Sequence, residues 1–126
     1  MEEMTAEEQV EAIREDDQRY EPDAYYFLMH SMEWQHHQLG RAGHMKAHEV
    51  LDGICGFAHL QFGLMSRCVL EQWGIKQTDD VGEMVYNFVN RRFWGKTEDD
   101  SLEEFQGVFD LGKRLDDYEI DSSEMN

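Results

Sequence analysis

Thr78-Asp79-Asp80-Val81-Gly82-Glu83-Met84-Val85-Tyr86-Asn87-Phe88-Val89 is the stretch whose reading decides the fold. Its apolar residues Val81, Met84, Val85, Phe88 and Val89 fall at i, i+3, i+4, i+7 and i+8, which is one face of an α-helix. Thr78 reads as its cap, with Asp79 and Asp80 in the first turn, where the helix dipole favours anions. Arg91 and Arg92 stand at the other end, followed by Phe93-Trp94-Gly95 as a short extended or turn segment.

Working outward, the same period repeats. Leu64 to Trp73 reads as a short helix closed by Gly74, with Ile75 as the apolar residue after the cap. Met45 to Phe62 reads as a longer one, with Val50, Leu51, Ile54, Phe57, Ala58 and Phe62 on its core face and Gly63 as its end. Glu21-Pro22-Asp23 opens a helix running to about Gln38. Tyr25, Leu28, Met29, Met32, His36 and Leu39 share one face of it, while Tyr26, Phe27, His30, Trp34 and His37 cover much of the rest. Such an all-round apolar helix belongs at the centre of a fold or against a partner. Thr5-Ala6-Glu7-Glu8 is a capping box for a first helix ending near Asp16; its thin stripe of Val10 and Ile13 leaves it either docked or frayed. Ser101-Leu102-Glu103-Glu104 is a second capping box, continued by Phe105, Val108 and Phe109.

These signals predict an all-α fold: a single compact domain of five or six short helices with acidic, partly disordered termini. The expected organisation is an acidic arm with a weak helix over residues 1–20, a helical core over 21–111 and an acidic disordered tail over 112–126. A length of 126 residues, 40% hydrophobic and 12% aromatic, suits one domain with a real core, and a single proline favours helix.

The formal net charge of −17 is concentrated at the ends. Residues 1–23 carry −8 and residues 98–126 carry −9, so the 74 residues between them are neutral. That middle holds all six histidines and both cysteines. No signal-length apolar run and no membrane-length span is visible, which gives a soluble cytoplasmic protein as the expectation. Cys55 and Cys68 read as reduced thiols.

The block WGIKQTDDVGEMVYNFV, Trp73 to Val89, resembles part of an uncharacterised bacterial family of small conserved hypothetical proteins. Tyr26-Phe27-Leu28, His44, Glu49 to Ile54, Ala58, Phe62-Gly63, Met65, Val69-Leu70-Glu71, Lys96-Thr97-Glu98 with Asp100, and Phe105 fit the same pattern, which covers most of residues 24–105. Met45-Lys46-Ala47-His48 departs from it, standing where the family would have valine, serine, glycine and then glutamine or arginine. His48 is thus particular to this chain. The resemblance implies a compact fold and brings no activity and no catalytic residue.

Three chemistries compete for the middle. His48, Asp52, Cys55 and His59 are spaced i, i+4, i+7 and i+11, a stripe of metal-capable side chains opposite the expected core face. The stripe is about 16 Å long, so one ion would take a neighbouring pair plus ligands from elsewhere, such as His30, His37 or His44. The mixed donors suit zinc. No HExxH and no paired CxxC is present, so ordinary polar residues on a solvent or partner face are the preferred explanation of the stripe. Leu64 to Trp73, Gly74 and Asp79 to Asn90 have the cadence of a degenerate helix-turn-helix, but Asp80, Glu83, Asn87 and Asn90 are poor phosphate readers and the acidic arms repel DNA. His48-Glu49 with Asp52, or a cysteine beside His59, offers acid–base or nucleophilic groups without a nucleophile elbow, glycine loop or cofactor fingerprint around them.

The sequence therefore favours a non-catalytic interaction or adaptor module that binds a protein partner or itself, with no membrane and no nucleic acid among its partners. Tyr26, His30, Trp34 and His37, with Trp94, are its candidate contact residues, since aromatics dominate interface hot spots.

Overall fold

In the computed structural model, which describes residues 3–95 and 102–118, two helices approach more closely than ordinary side chains allow. The elements are α1 (Ala6–Asp16), α2 (Pro22–Leu39), α3 (Ala47–Phe62), α4 (Ser66–Gln72), α5 (Thr78–Asn90) and α6 (Leu111–Asp116), with single 3-10 turns at Gly63–Met65 and Leu102–Phe105. No strand occurs among the described residues, and the fold is all-α.

Helices α2 and α3 form an antiparallel pair. A Cβ on Gly53 would lie 2.8 Å from Gln35 Cβ, and one on Gly56 would lie 2.8 Å from two ring carbons of Trp34. Glycine is what lets the axes close at this seam. The closeness also turns α2 from its expected orientation. Ala24, Tyr25, Phe27, Leu28, Ser31 and Gln35 are buried, while Met29, Met32 and Leu39 are only partly covered. Buried polar groups must be paired, and these are. Ser31 Oγ donates to the Leu28 carbonyl at 2.8 Å, and Gln35 Nε2 donates to the Glu49 carbonyl at 2.9 Å.

The 40–46 connection is held by its own charges. Glu49 Oε1 accepts from the Lys46 N–H at 2.9 Å, and Arg41 pairs with the other oxygen while donating to the His44 carbonyl. These bonds, the Lys46 backbone first, hold the Glu49 carboxyl below its ordinary range.

The N-terminal arm docks. Thr5 and Glu8 form the expected capping box, and Val10 and Ile13 are each 1% exposed. Tyr20, buried to the same degree, donates to Asp80 Oδ1 at 2.7 Å and meets Tyr25 edge-on, which in turn meets Phe88. Asp17 accepts from Arg19 Nε at 2.9 Å and from Asn87 Nδ2 at 3.0 Å, so α1, the 17–20 link and α5 share one polar network. Arg19, then Asn87, keeps the Asp17 carboxyl ionised well below its ordinary pKa, overcoming the opposing effect of burial.

Three expectations change. Thr78 does not cap α5 with its side chain; Gln77 is the capping residue, and Asp80 Oδ2 accepts from the Lys76 and Gln77 N–H groups at 2.9 and 3.0 Å. Thr78 is instead buried, donating to the Phe105 carbonyl at 2.7 Å and accepting from the Val108 N–H. The expected sixth helix from Ser101 is a single 3-10 turn, and Ser101 itself lies outside the described residues. Helix α6 stands where a disordered tail was expected from Gly112. Leu111 and Leu115 are 1% and 2% exposed, and Asp110 caps the helix through the Lys113 N–H. Two leucines sufficed to seat it among acids; residues 119–126 of the expected tail lie outside the described residues.

Two outcomes test this packing. Glycine to alanine within a helix ordinarily gains about 1 kcal/mol. Gly53→Ala is instead expected to cost about 1–2 kcal/mol in urea denaturation, because its new methyl meets a Cβ that cannot swing away. A neutral or stabilising result contradicts the close seam. Asp17, held below its ordinary pKa of 3.8, contributes stability that is complete above that value and is lost as the pH falls through its folded value. Asp17→Asn is therefore expected to cost about 1–2 kcal/mol near neutrality, with a gap to the parent that narrows in acid. A gap of constant size down to about pH 3 argues against the network.

Candidate functional site

One edge of the α2–α3 seam gathers rings. Asp23, Tyr26, Phe27 and His30 stand at i, i+3, i+4 and i+7 on α2 and line an open cleft of about 480 Å³. Phe57, Gln61 and Phe62 of α3 and Trp73 after α4 complete it. Phe27 lies at the centre, with ring centroids 5.4 Å from Phe57, 5.8 Å from Phe62 and 5.6 Å from Trp73. Phe62 meets Trp73 nearly edge-on at 5.7 Å, and Trp34 continues the row from Phe57 at 5.9 Å. Tilted and edge-on contacts at these distances suit ring quadrupoles.

The backbone fixes Trp73 in this position. The Glu21 N–H donates to the Trp73 carbonyl at 3.1 Å, joining the start of α2 to the end of α4. Gly74 follows with φ +98, and a Cβ there would lie 2.5 Å from the Arg19 carbonyl oxygen. Only glycine satisfies both demands. The Ile75 N–H then returns to the Leu70 carbonyl at 2.9 Å, which closes α4 as the sequence predicts.

The cleft is chemically plain. Its eight lining residues include no serine, threonine, cysteine, lysine or arginine. Desolvation, then Glu7, Glu11 and Asp23, raise the pKa of the Tyr26 phenol, so the acids of α1 act on this edge of the molecule. Leu60, Leu64 and Met65, at 62%, 69% and 57% exposure, add apolar surface around Gln61 and Phe62 in the chain.

Of the five candidate contact residues, the structure brings Tyr26 and His30 into the cleft and sets half-buried Trp34 beside it through Phe57. His37 is exposed but does not line it. Trp94 is elsewhere, stacked on Phe88 at the end of α5 with centroids 4.1 Å apart and planes 9° from parallel. Sequence reasoning assigned Phe57 and Phe62 to the core face of α3 and gave Trp73 no role. The i, i+3, i+4, i+7 spacing of Asp23, Tyr26, Phe27 and His30 was the available signal for the α2 wall.

The metal-capable stripe has another occupation: it seats α6. Asp52 accepts from Arg114 Nη2 at 2.7 Å, and His59 Nε2 meets the Leu115 carbonyl at 3.0 Å with its ring against Tyr118. Cys55, between them on α3, is 2% exposed, and desolvation pushes its thiol up to about 11. His48 lies apart, beside Lys46, Ala47, Glu104 and Val108 in a separate shallow cleft, and exposed His44 belongs to the 40–46 connection. Among the described residues, no group of three or more histidine, cysteine, aspartate or glutamate side chains is placed to hold a metal ion. The stripe was expected to face away from the core; α6 engages Asp52 and His59 on it, and of its four residues Cys55 alone is buried.

Helix α5 turns its chemistry inward as well. Asp80 caps its own helix, Asp79 accepts from the Gly107 N–H at 3.0 Å, and Arg91 pairs with Asp16. No helix among the described residues is long and apolar enough to cross a membrane. Comparison with protein-family models, with curated proteins and with solved structures gives no match for this chain.

The covering role of α6 is directly measurable. Leu115→Ala removes one of its two buried leucines and is expected to cost about 2–4 kcal/mol. Alkylation of Cys55 should accelerate several-fold in this variant, with exposed Cys68 as the unchanged internal reference. Equal Cys55 rates in parent and variant would show that α6 does not shield the stripe.

Proposed function

We propose that this chain is a non-catalytic protein-interaction module and that the aromatic cleft between α2, α3 and Trp73 receives apolar side chains of a protein partner. One observation supports this reading above the others: a row of rings in mutual contact, with Phe27 buried at its centre and Phe57, Phe62 and Trp73 partly exposed, lines an open cleft along a helix–helix seam. Rigid aromatics offer large contact area at small conformational cost, and they recur where interfaces concentrate their energy. Backbone bonds at Glu21 and the tight turn at Gly74 hold Trp73 in place beforehand, which lowers the ordering cost of binding. The bacterial family resembled by Trp73 to Val89 fits this proposal in one respect, since Trp73 opens that block and Tyr26-Phe27 and Phe62 belong to the same pattern.

Site-specific photo-crosslinking in the native host tests the reading. A benzophenone amino acid at Gln61, exposed on the cleft wall, is expected to give one or a few discrete protein adducts. The same probe at Tyr86, exposed on α5 and outside the cleft, should give none of them. Identical adduct patterns from both positions, or none from Gln61, would overturn the assignment of the cleft.

A further inference from the structure

Resting on that reading, we propose the chemistry of the partner: the cleft takes a basic amphipathic helix of another protein, one that presents leucine or aromatic side chains along one face with lysine and arginine beside them.

The shape argument comes first. The floor is a strip of rings, Phe27, Phe57, Phe62 and Trp73, lying along the groove between two antiparallel helices. A groove of this kind accepts the i, i+3, i+4, i+7 ridge of a third helix, as in helix-in-groove recognition generally.

Charge then selects the partner. Asp23 is the one carboxylate among the lining residues, and no lysine or arginine stands among them to offset it. Glu11 and Glu15 of α1 line a neighbouring cleft together with Tyr26 and Arg14, so acids outnumber bases along this edge as well. Of the chain's eleven lysines and arginines, Arg14 of α1 stands beside Tyr26 and donates to the Tyr20 carbonyl at 3.0 Å, and five further arginines are held in pairs away from the cleft. Arg19 pairs with Asp17 and Glu83, Arg41 with Glu49, Arg67 with Glu71 and Asp116, Arg91 with Asp16, and Arg114 with Asp52. Five arginines are thus held in internal pairs, and the chain's formal net charge is −17. A field of that sign steers cationic segments toward the surface and discourages anionic ones. A second copy of this chain would bring another −17 and set the same acidic edge against itself. Lysine or arginine beside the apolar ridge would also reach the faces of Tyr26 and Trp73, where cation–π attraction adds to the ion pairing.

Three synthetic helical peptides without tryptophan test this on the full chain. The first has a leucine ridge flanked by lysines. The second replaces each lysine by glutamine. The third keeps the first composition with the ridge scrambled. Titrations follow the chain's tryptophan emission, in a Trp94→Phe background that leaves Trp34 and Trp73, and, in parallel, binding heat at low and high salt. The ridged lysine peptide is expected to bind about tenfold or more tightly than the other two at low salt, to weaken as salt rises, and to lose about tenfold in affinity for Gln61→Arg. Gln61 is exposed, so this variant is expected to fold as the parent does. Equal binding of the glutamine peptide overturns the charge inference and leaves the interaction reading standing. Equal binding of the scrambled peptide, indifferent to Gln61→Arg, shows only generic attraction of cations to an acidic protein and also overturns it. Failure of all three peptides overturns the inference, while the crosslinking outcome decides the interaction reading separately. A dimeric mass in light scattering that Gln61→Arg reduces to a monomer would make a second copy the occupant and overturn it as well.

Discussion

The close approach of α2 and α3 through Gly53 and Gly56 is the constraint on which the rest of the structure depends. The missing side chain at Gly53 makes room for Gln35, and the one at Gly56 makes room for the Trp34 indole. From Trp34 the rings continue along the seam's edge, where Phe57 leads to Phe27, Phe62 and Trp73. The cleft therefore begins where a glycine admits a ring. The polar seam also specifies register: Gln35 reaches the Glu49 carbonyl only where Gly53 faces it, and a slip of one turn would leave a buried amide unpaired.

Much of the helical plan was legible because it rests on local rules. The 3.6-residue period of Val81 to Val89, the Thr5 capping box, Pro22 at a helix start and Gly74 before Ile75 depend on neighbours in sequence, and each element stands where those rules put it. The errors arose where a distant segment decided the outcome. Thr78 has the chemistry of a cap, but the Phe105 carbonyl 27 residues away claims its hydroxyl. Leu111 and Leu115 are too few to announce a helix, yet the stripe on α3 gives them a surface to bury. The inward face of α2 was misjudged for the same reason: a hydrophobic count favours Met32 and Leu39, whereas the glycines of α3 face Gln35 and Trp34, and Gln35 is buried there.

The candidate site was legible in part. Tyr26, His30 and Trp34 could be picked from the aromatic excess of one helix, since a helix with rings on every side must present some of them outward. Phe57, Phe62 and Trp73 could not, because periodicity says that a residue faces the next helix and not whether that helix covers it. The metal-capable stripe shows the converse. Its spacing correctly placed Asp52, Cys55 and His59 on one face, but periodicity carries no information on the arginine and the carbonyl that occupy them.

The seat of α6 has a consequence for how the chain matures. His59 and the Leu115 carbonyl are 56 residues apart, whereas the α2–α3 pair is closed by a short connection. During synthesis the hairpin can form early from local contacts, whereas α6 can dock only after α4 and α5 have been made. Until it docks, Asp52 and His59 lack the arginine and the carbonyl that meet them in the folded chain. The order of the segments thus sets the order in which this face of α3 is satisfied, local pairing first and long-range docking afterwards.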